Sequence, residues 1–449
     1  MGRDMVYNYL YIYVKEEMMI PQKIKLWESA DLTAIKTDKF KTGMISFSFS
    51  LPLDAKLSAY NLMLGGVLRR GSVRYPSATA LNRRLDELYA SSVEIKNLRC
   101  GKNELLIFSS EMLDNAFVND GSDLLDGVLE LISELIMNPV LEDNSFPKAA
   151  VDKERVNVSD AIKAEINNPR VYASRRCAEL MHSADTDFPT VRQMAELVDT
   201  CDGEGLYKHY KRVLTESKAS VFYVGSEDID DVAKKIKAHF SPFGSAQNVV
   251  VPMSAEGFEK SKEVTEDFPV SQGKLCMGFR IGVCADSDEY FAAALFNEIF
   301  GGSPASKLFM NVREKMGLCY YCSSAYDTYM GNITVSAGID VSDLECAKAE
   351  ILRQLEDMKA GRISETELTA AKKSIANWYR QMLDYPFELF AFYSTRGLFG
   401  RKADPEEYMR RFDAVTPEQI VKVAKRAILD TVYFLKGTIE DTDAEEVEE

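Results

Sequence analysis

The same order of elements runs through this chain twice. An apolar helical pattern from Ala59 to Leu68 carries Gly65-Gly66 and leads to a Ser/Arg segment, a helix-like Leu81 to Tyr89 and a strand pattern at Glu104 to Ser109. Far downstream, Phe291 to Phe300 runs into Gly301-Gly302-Ser303, followed by a helix-like Leu308 to Met316 and a strand pattern at Asn332 to Gly338. An amphipathic helix comes next in each copy, Leu124 to Ile136 and Ala347 to Met358, with apolar residues at three- and four-residue spacing. Each copy closes on a basic helix end and a strand, Lys211-Arg212 before Val221 to Val224 and Lys425-Arg426 before Val432 to Leu435. A repeat of this length constrains the fold before any motif is considered: the chain must build two like units.

Alternating strands mixed with long amphipathic helices predict an α+β class, each half a mixed, mainly antiparallel sheet with helices packed on it. Ser364 to Glu367 and Thr416-Pro417-Glu418-Gln419 read as helix caps. The boundaries expected are an N-terminal extension (1–20), a first domain (21–240), a Pro/Gly/Ser-rich linker (241–262), a second domain (263–439) and an acidic tail (440–449). Two facing halves also create a cavity, a favoured place for a ligand.

Charge and cysteine usage exclude several functions. A net charge of −16 repels phosphate backbones, so no nucleic-acid partner is expected. The apolar run Met5 to Val14 is too short to span a bilayer and is followed by Lys15, Glu16 and Glu17, which predicts no membrane association and a cytoplasmic location. Eight scattered cysteines do not form a disulfide framework. Cys319-Tyr-Tyr-Cys322 has ligand or redox spacing, but in a regular strand residues three apart point to opposite faces, which favours two packed thiols. The aromatic stretch from Trp378 to Tyr393 has helical spacing and reads as core.

The run Ile299-Phe-Gly-Gly-Ser-Pro-Ala-Ser-Lys-Leu-Phe-Met-Asn-Val-Arg-Glu-Lys-Met-Gly-Leu-Cys-Tyr-Tyr321 resembles the second-half signature of the insulinase/pitrilysin family of zinc peptidases, which includes mitochondrial processing peptidase. The resemblance extends from about Lys23 to Gly437 and implies a metallohydrolase-like clamshell of two homologous halves. Active members carry H-x-x-E-H in the first half, where two histidines bind zinc and the glutamate is the general base. Here that helix aligns with Leu62-Met-Leu-Gly-Gly66, so Leu62, Gly65 and Gly66 are the degenerate zinc-motif positions. The three histidines of the chain, His182, His209 and His239, are too far apart in sequence to supply a replacement pair. The family's later glutamate ligand falls near Asp160 or Ala161. The resemblance therefore implies a bacterial-type non-catalytic member with no zinc cofactor.

Arg313 and Tyr320 match the family's second-half arginine and tyrosine, which hold substrate across the cavity from the metal. The resemblance implies the same substrate-binding role for them here. The arginines Arg69, Arg70, Arg74, Arg83 and Arg84 cluster around the degenerate motif and read as a solvated charged face or a contact for acidic groups. The function expected is a non-catalytic subunit that completes a peptide-binding chamber with an active H-x-x-E-H partner. Alternatives are a stand-alone peptide-binding or scaffold protein, a homodimer, and an active metallopeptidase with unorthodox ligands.

Overall fold

The structure is a computed structural model that describes residues 19–184, 188–245, 260–398 and 404–439. The Met5 to Val14 run and the acidic tail lie outside the described residues, as does most of the expected linker. The first half opens with strands β1 (Gln22–Trp27), β2 (Ala30–Lys36) and β3 (Thr42–Pro52), then helices α1 (Ala55–Leu68) and α2 (Ala78–Glu87). It continues through β4 (Glu94–Cys100), β5 (Asn103–Leu113), α3 (Leu124–Met137), α4 (Lys148–Ala164), α5 (Pro169–Met181), α6 (Val191–Asp199) and α7 (Gly203–Glu216), and ends on β6 (Lys218–Gly225) and α8 (Ile229–His239).

The second half follows the same plan. It runs β7 (Lys262–Phe268), β8 (Gly273–Arg280), α9 (Tyr290–Asn297), β9 (Cys319–Asp327), β10 (Asn332–Ile339), α10 (Leu344–Lys359), α11 (Glu365–Met382), α12 (Pro386–Leu398), α13 (Pro405–Asp413), α14 (Pro417–Ala424) and β11 (Ile428–Gly437). The sheets have the orders β1-β2-β6-β3-β5-β4 and β7-β11-β8-β10-β9. Removing β1 makes the two orders equivalent strand for strand. Each sheet has one parallel pair at the equivalent place, β2 with β6 and β7 with β11, and its other pairs are antiparallel.

Capping chemistry fixes several helix starts. Ser364 and Glu367 close a reciprocal capping box at α11, and Thr416 with Gln419 forms another at α14, where Pro417 takes the first helical position. The alternating strands bury one face against α3, whose Leu125, Val128, Leu129 and Ile132 are all inaccessible to solvent or nearly so. The aromatic stretch is core for Tyr379, Phe390, Phe392 and Tyr393, while Trp378 and Phe387 are exposed.

The cores cross the boundary between the halves. Helix α5, from the first half, packs on the second sheet through Ala173, Cys177 and Met181 against Cys276, Tyr433 and Leu435. Helix α12, from the second half, packs on the first sheet, where Phe390 and Tyr393 lie 5.7 and 6.3 Å from the Phe222 ring. The two helices occupy equivalent places in the repeat and both begin with proline. Each half therefore lends one helix to the open face of the other's sheet. Polar groups fix one of these contacts: Arg280 pairs with Asp430 at 2.6 Å and donates to the Met181 carbonyl, and Asn332 meets His182 at 2.9 Å.

Candidate functional site

Helix α1 carries the degenerate motif, and its face toward the sheet is built for close approach. A side chain at Gly65 would meet the Ile95 carbonyl of β4 at 3.1 Å, so the missing side chain lets the helix lie against the edge strand of the first sheet. Gly66 faces α4. A Cβ there would stand 1.8 Å from Glu154 Oε1, so the Glu154 carboxylate fills the space a residue-66 side chain would need. Glu154 is held there by Arg70, whose Nη2 lies 3.1 Å away, and by Asn157 at 3.1 Å. Leu62 is 37% exposed and presents an apolar side chain where the motif needs a ligand.

Asp160 is exposed, and the α4 carboxylate that reaches the motif helix is Glu154, a residue sequence reasoning passed over. The arginine cluster is partly neutralised: Arg70 pairs with Glu154, while Arg74 and Arg84 share Glu130. Arg69 and Arg83 remain on the exposed surface.

Beneath the motif, α1 also holds a buried polar chain. Ser58 Oγ donates to Glu104 at 2.7 Å, and His209 Nε2 donates to Asn61 Oδ1 at 2.7 Å, with Tyr60 stacked on the imidazole at 5.8 Å. Burial raises the Glu104 carboxyl above its usual range, against the hydrogen bonds from Ser58 and Asn61. Burial lowers His209 to about 4, so the ring is neutral at physiological pH. None of these groups is joined to a metal-ligating set: among the described residues no three His, Cys, Asp or Glu side chains gather where they could hold a metal ion.

The equivalent region of the second half is organised differently. After α9 the helix widens into π turns over Glu298–Gly302, and a second π segment covers Leu308–Lys315. A Cβ at Gly301 would lie 2.7 Å from the Ser324 backbone nitrogen, so this glycine seats its helix against edge strand β9 as Gly65 does against β4. Arg313 projects from the π segment with 40% of its side chain exposed, stacked at 4.6 Å over Phe309 and 3.6 Å from Glu314. Tyr320 is 57% exposed at the start of β9. Neither side chain is consumed by core packing, so both are accessible from solvent.

Strand β9 is irregular at this point. Tyr321 pairs with Gly338 and Cys319 pairs with Ile339, leaving Tyr320 as an extra residue without a partner on β10. The bulge brings Cys319 and Cys322 to the same side of the strand, opposite Ile339 and Ala337 of β10. This corrects the expectation, based on a regular period of two, that they point apart. Both are buried and unoxidised.

Residues 201–375 match the Peptidase M16 inactive domain. Over 404 residues, 90% of this chain and 95% of its relative, the sequence is 31% identical to YmfF of Bacillus subtilis, described as a probable inactive metalloprotease. The chain belongs to the M16 (insulinase/pitrilysin) peptidase family. Within that family it is an inactive-type, non-catalytic homologue. Among solved structures, a conserved protein from Enterococcus faecalis superimposes with a TM-score of 0.85 at 26% identity, covering 94% of this chain and 99% of that one. A peptidase M16 inactive domain from Pseudomonas fluorescens gives 0.76 at 16% identity over 94% and 99%. No helix among the described residues is long and apolar enough to cross a membrane.

Proposed function

We propose that this M16 homologue is a non-catalytic subunit that completes a peptide-binding chamber with an active H-x-x-E-H partner, and that it holds peptide through Arg313 and Tyr320 without binding zinc itself. The observation that carries this reading is the contrast between the two signature regions. At Leu62, Gly65 and Gly66 the ligand chemistry is absent and the Glu154 carboxylate fills the vacated space, whereas Arg313 and Tyr320 retain solvent-facing functional groups. A guanidinium can fork onto a peptide carbonyl or carboxylate, and a phenol can donate to an oxygen that gains charge during cleavage.

Isolation from native lysate tests the reading directly. A stoichiometric H-x-x-E-H companion, with peptide turnover in the complex and none in the separated chain, is the expected result. Recovery of the chain alone, or only as a homodimer, with peptide bound but not cleaved favours a stand-alone binder. Stoichiometric zinc with chelator-sensitive cleavage by the homogeneous chain would overturn the non-catalytic assignment.

A further inference from the structure

An α-helix bonds each carbonyl to the N–H four residues on, a π-helix to the N–H five residues on. Both kinds of bond frame the segment that carries Arg313. Met310 N donates to the Ser306 carbonyl at 2.9 Å, the four-residue step, while Met316 N donates to the Asn311 carbonyl at 3.2 Å, the five-residue step. An extra residue is therefore taken in between them. The equivalent helix of the first half does not do this. Leu81 and Leu308 open the two runs, so Arg84 of α2 matches Asn311, and the Arg84 carbonyl keeps the four-residue bond to Leu88 N at 3.1 Å.

Side chains hold the wider turn. Asn311 Nδ2 donates to the Lys307 carbonyl at 3.0 Å, the acceptor that the Asn311 backbone N–H would use in an α-helix, and to Gln354 Oε1 of α10 at 3.1 Å. Both of its amide hydrogens are thereby used. Gln354 is 1% exposed, and its Nε2 donates to Glu350 at 2.6 Å, while Arg353 grips both oxygens of that carboxylate at 2.7 Å. At the head of the segment the buried Lys307 ammonium meets Glu367 of α11 at 2.7 Å. Arg84 offers no such latch in the first half, because its guanidinium reaches out to Glu87 and Glu130.

We infer that Asn311, anchored by Gln354, is a positioning residue that keeps this segment in the π register and so aims Arg313. Releasing the extra residue would turn the residues after it by roughly 100° about the helix axis. That takes Arg313 off the Phe309 ring on which it stacks at 4.6 Å. The consequence for peptide rests on the role proposed above for Arg313; the aiming itself does not.

Two variants of the full chain test it. Asn311→Leu removes both bonds at similar volume, and Gln354→Met removes the anchor while leaving the π segment's own sequence intact, so the second decides if the first does not fold. Labelling with p-hydroxyphenylglyoxal, read by peptide mapping, reports the surroundings of Arg313, circular dichroism reports the fold, and a fluorescent pool of end-capped decapeptides reports binding. The expected result is a folded chain that labels several-fold faster at Arg313, with Arg69 and Arg83 of the first half labelled as before. Binding of the pool should weaken roughly fivefold or more, with no further loss when Asn311→Leu is added to Arg313→Ala. Unchanged labelling of Arg313 in the folded variants would overturn the aiming. A further loss of binding in the double variant would show that Asn311 reaches peptide by another route and would overturn its action through Arg313. If the unaltered chain does not hold the pool, the peptide site fails, and the labelling still decides the register.

Discussion

The two halves share a strand order and a glycine-bearing helix that leans on an edge strand, yet they fill the space around that helix in opposite ways. In the first half the gap is closed from outside: Glu154 crosses from α4 to Gly66 and is fixed by Arg70. In the second, the helix itself widens into π turns, and the following segment leaves Arg313 and Tyr320 toward solvent. Duplication thus preserved the scaffold and let the signature regions diverge, one toward closure and the other toward display. The lent helices α5 and α12 make that divergence affordable, because each sheet's stability is shared with the opposite half.

The largest effects should come from breaking that exchange. Phe222 is buried beneath α12, and Met181 is buried where α5 meets the second sheet. Phe222→Ala should cost roughly 3–5 kcal/mol and Met181→Ala roughly 2–5 kcal/mol. Calorimetry should show one cooperative transition lowered by either change. Two transitions, with only the half bearing the substitution shifted, would mean that the halves are energetically independent.

Acid should separate the halves next. His209 lies in the first-half core with its folded value lowered to about 4, below the ordinary 6.5, so the unfolded chain binds the extra proton between these values. Stability from this group is therefore fully present above about pH 6.5 and is lost as the pH falls to about 4, by up to about 3 kcal/mol. Denaturant melts of the protein and of His209→Gln across that range check it. An equally steep acid loss in the variant would assign the effect to other groups.

The glycines sharpen the comparison further. Gly301→Ala drives a methyl group against the Ser324 backbone and should cost about 1–3 kcal/mol. Gly66→Ala meets only the flexible end of Glu154, so it should cost less. Glu154→Ala should remove most of that cost in the double variant. Equal penalties at both sites, without rescue, would show that Glu154 is not what occupies the first-half gap.

Arg313→Ala and Tyr320→Phe should have the smallest effect on stability, within about 0.5 kcal/mol, because both side chains are exposed. If they hold peptide, each should lower turnover per folded complex roughly 5- to 100-fold, equivalent to about 1–3 kcal/mol of lost hydrogen bonding. Unchanged turnover at unchanged complex yield would remove both from the peptide site.

Much of this scaffold could be read from the chain itself. The paired glycines, the helices around Leu124 and Ala347 and the closing strands all announced themselves through local periodicity, and the structure places each within a residue or a few of its expected limits. The helix exchange was not legible, because Ala173, Cys177 and Met181 mark an apolar stripe without saying which sheet it meets. Glu154 was missed for a similar reason: its position depends on how α4 crosses α1, not on its spacing from a motif. The facing of Cys319 and Cys322 was misread because a single unpaired residue, Tyr320, shifts the period of the strand.

The exchanged helix α12 also imposes an order on synthesis. The first-half sheet presents Ile35, Met44, Ile107, Phe222 and Val224 to a core completed by residues of the second half. At about 5–20 residues per second of elongation, the stretch from the end of α8 to the end of α12 takes on the order of ten to thirty seconds to translate. Throughout that interval the nascent chain carries an uncovered apolar sheet face at the ribosome, where self-association and chaperone capture compete with folding.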